Sequence, residues 1–405
     1  MAKLGRFFVI AILLLGFGAA TSLAQGGQTN ATDEEAEADH EHEGVDGLRL
    51  IVGEADAPRV VVIDAAHGEV IASFTTPGVG SIHQLPDPRH AVVVHRDHHR
   101  VTIVHSGLSA VDHGDHADLV LGNPYILATL NLGRQPTHVF SRGNDLAFFN
   151  DQDGTVAWLD TRLLGISLDY TEIAARNPDH GALAVLDGHM VVGLLATGEV
   201  DVYTRDGRSV AHFDGCPGLH GQGALAATVT FGCSDGVLII QAIGAGIFTA
   251  HKVANPAGSP EGARVSAIAT DDDSAVLIGN FGSGFAVIDP VARSLRAFSL
   301  PAAQISGRFY EHGELYLHLG SDGQLRSIDP STGEVLAAIA VVGELVAGAV
   351  RPTLAVLGEY AYVTDPGHGA VREIELEHFE ESRHFDLPFT PSGIAVLAIP
   401  GAELH

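Results

Sequence analysis

Short apolar runs separated by Gly and Asp turns dominate the chain from Leu48 onward. Runs of four to seven apolar or alternating residues recur, and stretches with helical periodicity are almost absent. This pattern is typical of short β-strands, because successive strand residues point to opposite faces of a sheet. The sequence therefore predicts an all-β fold.

One segment, an apolar strand that ends in a polar residue before a turn, recurs along the chain. Its eight copies are 61–64, 102–105, 157–160, 201–204, 238–241, 286–289, 326–329 and 372–375. Their mean spacing of about 44 residues matches one four-stranded blade of a β-propeller. We predict an eight-bladed propeller, with seven blades as the alternative if the weak copy near residue 241 merges with a neighbour.

The two ends of this repeat indicate how the ring closes. Candidate inner strands begin near residues 81, 136, 181, 222, 264, 304 and 353, but the first copy has no inner strand of its own. The segment 393–398 has the pattern of one and is followed only by a short tail. We expect this C-terminal strand to complete the first blade, because closure removes the exposed edges of an open array.

The residues before Leu48 have a different character. Lys3 and Arg6 precede an apolar stretch over 7–20 and a small-x-small motif at 22–24, which predicts a secretory signal peptide over 1–24. Residues 25–47 contain seven carboxylates between positions 33 and 43, together with His40 and His42. Such a run repels itself, so we expect a disordered acidic arm before a propeller domain over 48–405. The arm is either a solubilising tail or a mobile segment that collects cations.

Charge and composition narrow the choice of ligand. Asp and Glu number 50 against 22 Lys and Arg, which gives a formal net charge of −28. Nucleic-acid recognition needs a positive surface, so we expect no nucleic-acid partner. No segment after the signal peptide is long and apolar enough to insert into a membrane. The 23 His outnumber Lys and Arg together, and His is the most common metal-ligating side chain, so the composition favours a metal cation.

Cys216 and Cys233 are the only cysteines of the chain. Each ends a short apolar or Gly-rich run, an arrangement that suits adjacent strands of one hairpin. In the oxidising compartment that a signal peptide implies, the pair predicts a disulfide, which stabilises a loop of this size by about 3 kcal/mol. A thiolate metal site is the alternative, although the spacing is not that of a Cys-x-x-Cys motif.

Three histidines stand at the starts of successive predicted inner strands. They are His138, His180 and His220. Inner-strand starts of all blades meet around the axial channel of a propeller, so these imidazoles are candidates for a shared metal site. Three independent turn histidines are the alternative.

A second group of potential ligands lies in an unusually long link over residues 106–124. It contains His113, His116 and Asp118 within six residues, and zinc accepts His nitrogen together with carboxylate oxygen. Long ordered links are often functional. Strand alternation puts this link on the face opposite the inner-strand starts, so the loop must fold into the channel to share an ion with His180 and His220. A solvated acidic loop is the alternative.

Two motifs in these regions resemble the AztD-type periplasmic zinc metallochaperones. They are Val-Asp-His-Gly-Asp-His-Ala-Asp at 111–118 and Cys-Pro-Gly-Leu-His-Gly at 216–221, the second leading to Phe-Gly-Cys at 231–233. The resemblance covers essentially the whole mature chain, and it implies a monomeric periplasmic propeller. Such a protein would bind Zn²⁺ and transfer it directly to the solute-binding protein of an ABC zinc importer.

The resemblance also implies a set of zinc ligands. The matching positions are His116, His113, His180 and His220, with Asp118 as the carboxylate. The arm would hold a secondary site at His40 and His42, a sparse version of a His-rich motif. The general order of metal affinities does not single out zinc, so Ni²⁺ and Cu²⁺ stay open.

Two other classes of function stay open beside the chaperone. One is an interaction scaffold whose histidines are incidental, and the other is a metalloenzyme with its site in the channel. An enzyme would require an open metal position with a general base, and no convincing nucleophile–base pair is evident. We therefore expect a protein that is not an enzyme.

Overall fold

A computed structural model describes residues 47–404 of the chain. Within this range the backbone forms β-strands, turns and two three-residue 3-10 helices, Arg96–His98 and Thr161–Leu163. The predicted signal peptide and almost all of the predicted arm, including His40 and His42, lie outside the described residues.

The strands form eight four-stranded antiparallel blades and one small accessory sheet. Blade 1 begins with β1 (Arg49–Glu54), β2 (Arg59–Asp64) and β3 (Glu69–Thr75). Blade 2 with its insertion comprises β4 (Ser81–Gln84), β5 (His90–His95), β6 (Arg100–His105), β7 (Leu108–Asp112), β8 (Ala117–Leu121) and β9 (Tyr125–Leu130). Blade 3 comprises β10 (Pro136–Arg142), β11 (Asp145–Asn150), β12 (Thr155–Asp160) and β13 (Tyr170–Ala174).

Blades 4 to 6 follow without insertions. Blade 4 comprises β14 (Gly181–Leu186), β15 (His189–Leu194), β16 (Val200–Tyr203) and β17 (Ser209–Phe213). Blade 5 comprises β18 (His220–Leu225), β19 (Thr228–Cys233), β20 (Gly236–Gly244) and β21 (Ile247–Ala254). Blade 6 comprises β22 (Ile268–Ala269), β23 (Leu277–Phe281), β24 (Gly284–Asp289) and β25 (Ser294–Ser299).

The last two blades lead back to the first. Blade 7 comprises β26 (Gln304–Tyr310), β27 (Leu315–Gly320), β28 (Gln324–Ile328) and β29 (Val335–Ala340). Blade 8 comprises β30 (Leu354–Leu357), β31 (Tyr360–Asp365), β32 (Ala370–Glu375) and β33 (Glu380–Asp386). The chain then ends with β34 (Pro391–Leu397) and β35 (Ala402–Glu403).

The predicted closure is confirmed, because β34 is the inner strand of blade 1. It pairs antiparallel with β1, where Arg49 lies opposite Leu397 and Ile51 opposite Ala395. The eight-bladed count is confirmed as well. Each of the eight repeat copies identified in the sequence falls on the third strand of its blade, counted outward from the channel.

Burial follows the position of each strand within its blade. The inner strand β14 is buried along its whole length, whereas the outer strand β3 is mostly exposed. Between blades, aromatic side chains such as Trp158, Tyr316 and Tyr362 fill the spaces between sheets. The polar residues of the outer strands therefore face solvent, and the apolar inner strands set the positions around the channel.

Blade 6 departs from the sequence prediction, since its inner strand begins at Ile268 rather than near residue 264. The residues before it do not form a strand because a side chain takes over part of the pairing. Asn280 Oδ1 accepts hydrogen bonds from the backbone N–H groups of Ser266 and Ala267, at 2.9 and 2.7 Å. This arrangement holds the carbonyl of Ser266 in place beside the channel.

The long link after β6 forms its own small sheet. Strands β7 and β8 pair as a hairpin, and β35 adds to β8 in parallel through Ala402 and Ala117. Within the hairpin, Leu108 of β7 and Leu119 of β8 are buried. The sequence predicted a loop here, because the pairing partner β35 is nearly 300 residues away.

The predicted disulfide is confirmed. Cys216 and Cys233 are bonded, with their Cα atoms 4.9 Å apart. Cys216 lies four residues before β18 and Cys233 ends β19, so the bond joins the segment that leads into one strand of the hairpin to the end of the other strand. In the described part of the chain, no helix has the length and apolar character needed to span a bilayer.

Candidate metal centre

Three imidazoles from successive blades meet at the upper face, which we define as the face where the inner strands begin. They belong to His138, His180 and His220. The Nε2 atom of His180 lies 3.0 Å from Nε2 of His138 and 3.3 Å from Nε2 of His220. Residues 42 and 40 positions apart in sequence are thereby brought to one point. We call this group the channel cluster.

Backbone irregularities at two inner-strand starts direct these side chains. The pairing register shifts between Pro136 and His138 in blade 3, and between His220 and Gln222 in blade 5. Such β-bulges re-aim a side chain without ending the strand. In blade 5 the bulge requires Gly221, which has a φ of +74° and leaves no room for a Cβ beside the carbonyl of Ser266.

Hydrogen bonds at the opposite ring nitrogens fix the tautomer of two of these histidines. Nδ1 of His180 lies 2.9 Å from a carboxylate oxygen of Asp151, and Nδ1 of His220 lies 2.8 Å from the carbonyl of Ser266. Carboxylate and carbonyl oxygens only accept, so both Nδ1 atoms must carry the proton. In the neutral rings, Nε2 then presents a lone pair to the centre of the cluster.

The short contact between Nε2 of His180 and Nε2 of His220 is therefore not a hydrogen bond. Lone pairs face each other across 3.3 Å, an arrangement that a cation stabilises. Burial, followed by the charges of His180 and His220, lowers the pKa of His138 to about 3. His138 thus stays neutral and able to coordinate at any physiological pH.

Asp151 supplies negative charge directly behind the cluster. Burial raises the pKa of this carboxyl group, but hydrogen bonds from His180, Thr137 and Arg96 outweigh burial, so the pKa lies below its usual range. The ionised carboxylate orients His180 and partly balances the charge of a bound cation.

The geometry of the channel cluster fits zinc. Tetrahedral coordination at Zn–N distances of 2.0–2.1 Å places ligand nitrogens about 3.3 Å apart. The two measured Nε2–Nε2 distances of 3.0 and 3.3 Å match this separation. Among the described residues, three ligands converge here, so a fourth coordination position is left for water or for a donor from another molecule.

The disulfide braces the strand start that carries His220. Cys216 lies four residues before His220, and Cys233 follows Gly232, the residue that pairs with His220. The backbone N–H of Ser234 also donates to the carbonyl of Pro217, at 2.7 Å. The segment that leads into His220 is therefore fixed at both sides.

The hairpin β7–β8 carries the second group of predicted ligands at its tip. Nε2 of His113 and Nε2 of His116 lie 3.1 and 3.2 Å from the two carboxylate oxygens of Asp118. The two rings stack with their centroids 5.1 Å apart, and Nδ1 of His116 lies 2.9 Å from Asp115. The imidazoles of His113 and His116 are nearly half exposed to solvent, whereas the carboxylate of Asp118 is partly buried. We call His113, His116 and Asp118 the hairpin cluster.

The two clusters lie on opposite faces of the propeller. The hairpin follows β6, whose end lies at the lower face, where the inner strands also end. Arg49, opposite Leu397 at the end of β34, donates to the carbonyl groups of Ser106 and Gly122 at the two ends of the hairpin. The hairpin therefore does not fold into the channel, and His116 does not join His180 and His220.

The structure thus divides the ligand set expected from the sequence. It brings His180 and His220 together with His138, which shares their register in the sequence but is not in the ligand set that the resemblance implies. It groups His113, His116 and Asp118 separately. Asp151 was missed because a single Asp in the turn after β11 looks like any turn residue, and its contact with His180 depends on the packing of adjacent blades.

Two other groups of possible ligands, both largely exposed, offer poorer sites. One comprises Glu199, His212 and Asp214, where the guanidinium of Arg176 lies 3.1 Å from Nδ1 of His212 and would repel a cation. The other comprises Glu375, Glu377 and His378, where the carboxylate of Glu375 accepts from the backbone N–H groups of Glu377 and His378. The carboxylate oxygens of Glu375 that could bind a metal are therefore already engaged in hydrogen bonds within the turn.

Comparison with known proteins identifies a relative along most of the chain. No protein-family model matches the sequence. The zinc chaperone AztD of Citrobacter koseri is 25% identical over 374 residues, which cover 89% of this chain and 88% of the relative.

Solved structures give the same picture of the fold. A crystal structure of C. koseri AztD superimposes with a TM-score of 0.80 at 24% identity, covering 88% of this chain and 99% of that one. The apo form of the same protein gives a TM-score of 0.78 at 24% identity, covering 86% and 97%. The dihydro-heme d1 dehydrogenase NirN in complex with DHE shares the fold more distantly, at 16% identity and a TM-score of 0.60, covering 85% and 74%. The resemblance to AztD-type zinc chaperones that the sequence motifs predicted is therefore confirmed over about nine-tenths of the chain.

Proposed function

We propose that this protein is a zinc metallochaperone that holds Zn²⁺ at the channel cluster, with His138, His180 and His220 as ligands. The observation that carries the proposal is the convergence of the three imidazoles, with Nε2 of His180 lying 3.0 and 3.3 Å from the other two Nε2 atoms, close to the ligand separation of a tetrahedral zinc site. The similarity to a protein named as a zinc chaperone supports it independently.

The hairpin cluster is a second, weaker zinc site in this proposal. His113, His116 and Asp118 offer two nitrogens and a carboxylate, an accepted donor set for zinc. The group is exposed on a hairpin tip, and zinc must displace the contacts between the imidazoles and the carboxylate before it binds. Both effects lower affinity relative to the channel cluster, where the Nε2 lone pairs of His180 and His220 already face the site.

The open coordination position suits a carrier rather than a store. Zinc held by three imidazoles exposes a fourth position to the upper face, where a ligand from an acceptor can enter before a histidine leaves. Stepwise exchange of this kind avoids free aqueous zinc. We propose that the acceptor is the solute-binding protein of an ABC zinc importer and that the protein acts as a monomer in the periplasm, to which the predicted signal peptide would direct it.

A non-enzymatic role follows from the same comparison, since the relative is a chaperone. A metalloenzyme would need a base within hydrogen-bond reach of a metal-bound water. Asp151, the carboxylate that contacts the channel cluster, is engaged behind His180 rather than in front of the open position. A pure interaction scaffold would show no tight zinc binding.

Zinc titration of two cluster variants tests the proposal. The channel variant carries His180→Ala and His220→Ala, and the matched hairpin variant carries His113→Ala and His116→Ala. Competition with a chelator of known affinity should show that the channel variant loses the tight site and that the hairpin variant keeps it. Equal zinc affinity in the wild type and the channel variant would overturn the assignment.

A further inference from the structure

The carboxylate behind the channel cluster is shared between two hydrogen-bond donors, a neutral imidazole and a guanidinium. Oδ2 of Asp151 lies 2.9 Å from Nδ1 of His180 and 3.3 Å from a guanidinium nitrogen of Arg96. Arg96 comes from the β5–β6 turn of blade 2, Asp151 from blade 3 and His180 from the start of blade 4. One oxygen atom therefore links three successive blades to the metal centre.

The two partners of this oxygen act on zinc in opposite directions. A carboxylate that accepts the Nδ1 proton of a ligating histidine makes Nε2 a better donor. A guanidinium on the same oxygen withdraws part of that negative charge. It also places a positive charge near the cation, and solvent screens the half-exposed guanidinium only in part. Asp151 thus strengthens the metal site, and Arg96 weakens it.

Asp151 and Arg96 differ in burial. Asp151 is a buried part of the site, whereas Arg96 is half-exposed and tolerates replacement. The side chain of Asp151 is 7% exposed, whereas that of Arg96 is 46% exposed at the upper face. Arg96 Nε donates to Thr137 Oγ1 at 3.1 Å, so the guanidinium is directed toward blade 3 rather than free in solvent. An exposed arginine held in this way can be replaced without opening the core.

We propose that Asp151 and Arg96 are positioning residues that set the zinc affinity of the channel cluster, with Arg96 limiting affinity so that the ion can be released. This inference rests on the proposed zinc site. It assigns Arg96 a role that opposes tight zinc binding, which suits a protein that must release zinc to an acceptor. A purely structural ion pair would instead predict that both replacements loosen the site.

The test compares Asp151→Asn and Arg96→Gln in the full-length protein in a His113→Ala, His116→Ala background, so that the hairpin cluster does not contribute. Arg134→Gln is the matched control, because Arg134 lies on the same face and pairs with Asp153 instead. The measurements are zinc affinity by chelator competition, the rate of zinc release to excess chelator, and thermal unfolding of the apo protein.

We expect Asp151→Asn to weaken zinc binding by about 10- to 100-fold, the usual cost of removing such a partner. We expect Arg96→Gln to tighten binding several-fold and to slow release, and Arg134→Gln to match the background. In the apo protein, ¹⁵N NMR of the His180 imidazole should show the Nδ1–H tautomer, with a reduced share in Asp151→Asn.

The measurements distinguish a failure of the proposed zinc site from a failure of the role proposed for Arg96. If the background protein binds no zinc tightly, the proposed function is wrong and this inference falls with it. If it binds zinc but Arg96→Gln weakens binding, or changes it no more than Arg134→Gln does, only the inference is overturned. If Asp151→Asn fails to fold, the comparison of Arg96→Gln with Arg134→Gln still shows whether Arg96 limits zinc affinity.

Discussion

The Nε2 atoms of His138 and His180 lie 3.0 Å apart, although the two residues are 42 positions apart in sequence and belong to different blades. The propeller produces this contact by repetition, since each blade begins its inner strand at the same height around the channel. A histidine at that register in successive blades is enough to gather ligands. The repeated blades of the fold therefore determine most of the geometry of the site.

The bulge at Gly221 should be essential for aiming His220. An ideal Cβ at this position would lie 2.6 Å from the carbonyl oxygen of Ser266, the acceptor for Nδ1 of His220. We expect Gly221→Ala to displace that carbonyl and to weaken zinc binding at least tenfold. Zinc affinity measured by chelator competition checks this expectation.

Gly188→Ala is the matched control for that variant. Gly188 also has a positive φ, +68°, but a Cβ there would meet no atom within 4 Å. Both variants carry a similar backbone strain of about 1 kcal/mol, so both should lose some stability. Only Gly221→Ala should lose zinc affinity, and an equal loss in the two variants would show that general destabilisation explains the result.

The disulfide should support both folding and metal binding. Replacing Cys216 and Cys233 by Ser should lower the free energy of unfolding by about 3 kcal/mol, because the unfolded chain regains loop entropy. Zinc affinity of the channel cluster should fall as well, since the segment leading into His220 loses its brace. The hairpin cluster provides an internal control, and its affinity should not change. Thiol counting under denaturing, non-reducing conditions should find no free thiol in the wild type, as the bond requires.

Stability should fall as the pH drops from about 6.5 to about 4. His318 is fully buried, and burial, with a smaller contribution from Arg326, lowers its pKa to about 4. Between its unfolded and folded pKa values the unfolded chain binds the proton more readily, so acid favours unfolding. The full penalty below pH 4 is roughly 3 kcal/mol for this residue.

Urea unfolding at several pH values would measure that dependence, with His318→Leu as the test variant. Removal of the titrating group should flatten the stability curve between pH 6.5 and 4. His378 offers a comparison, since this fully exposed residue has a pKa raised by its hydrogen bond to Glu375 and should not contribute to the acid loss. A curve for His318→Leu as steep as that of the wild type would mean that other groups control acid unfolding.

The acidic arm should act on the rate of transfer rather than on affinity. The described chain begins at Gly47, which packs against Leu108 and Leu119 of the hairpin β7–β8. If the arm is flexible, as its sequence predicts, the tether would give His40 and His42 an effective concentration in the millimolar range, on the order that short flexible linkers provide. That concentration suffices to compete for one ligand position on an ion already bound.

Removing residues 25–44 should therefore leave zinc affinity nearly unchanged and slow transfer to the apo acceptor. Stopped-flow transfer with and without the arm is the measurement, and replacement of His40 and His42 by Ala separates the imidazoles from the acidic charge. Identical transfer rates with and without the arm would indicate that the arm acts only as a solubilising tail. A large loss of equilibrium affinity would make it part of a main site instead.

The sequence was sufficient to predict the fold, because the eight third strands share one pattern and their spacing fixes the blade. It also predicted the closing strand and the disulfide. Strand alternation already predicted that the long link leaves blade 2 on the face opposite the channel histidines. The sequence could not show that the link stays there as a hairpin, since the hairpin position depends on pairing between β8 and β35 across most of the chain. Asp151 and Ser266 were missed for a similar reason: each contacts a histidine of a different blade, and nothing local in the sequence signals that contact.

Anomalous diffraction at the zinc absorption edge, from crystals of the zinc-loaded protein, tests the central claim most directly. The account predicts a strong peak at the channel cluster, about 2.0–2.1 Å from the Nε2 atoms of His138, His180 and His220. A weaker peak at the hairpin cluster is expected when zinc is in excess. A fully loaded crystal with zinc at the hairpin cluster and none among the three channel histidines would contradict the account.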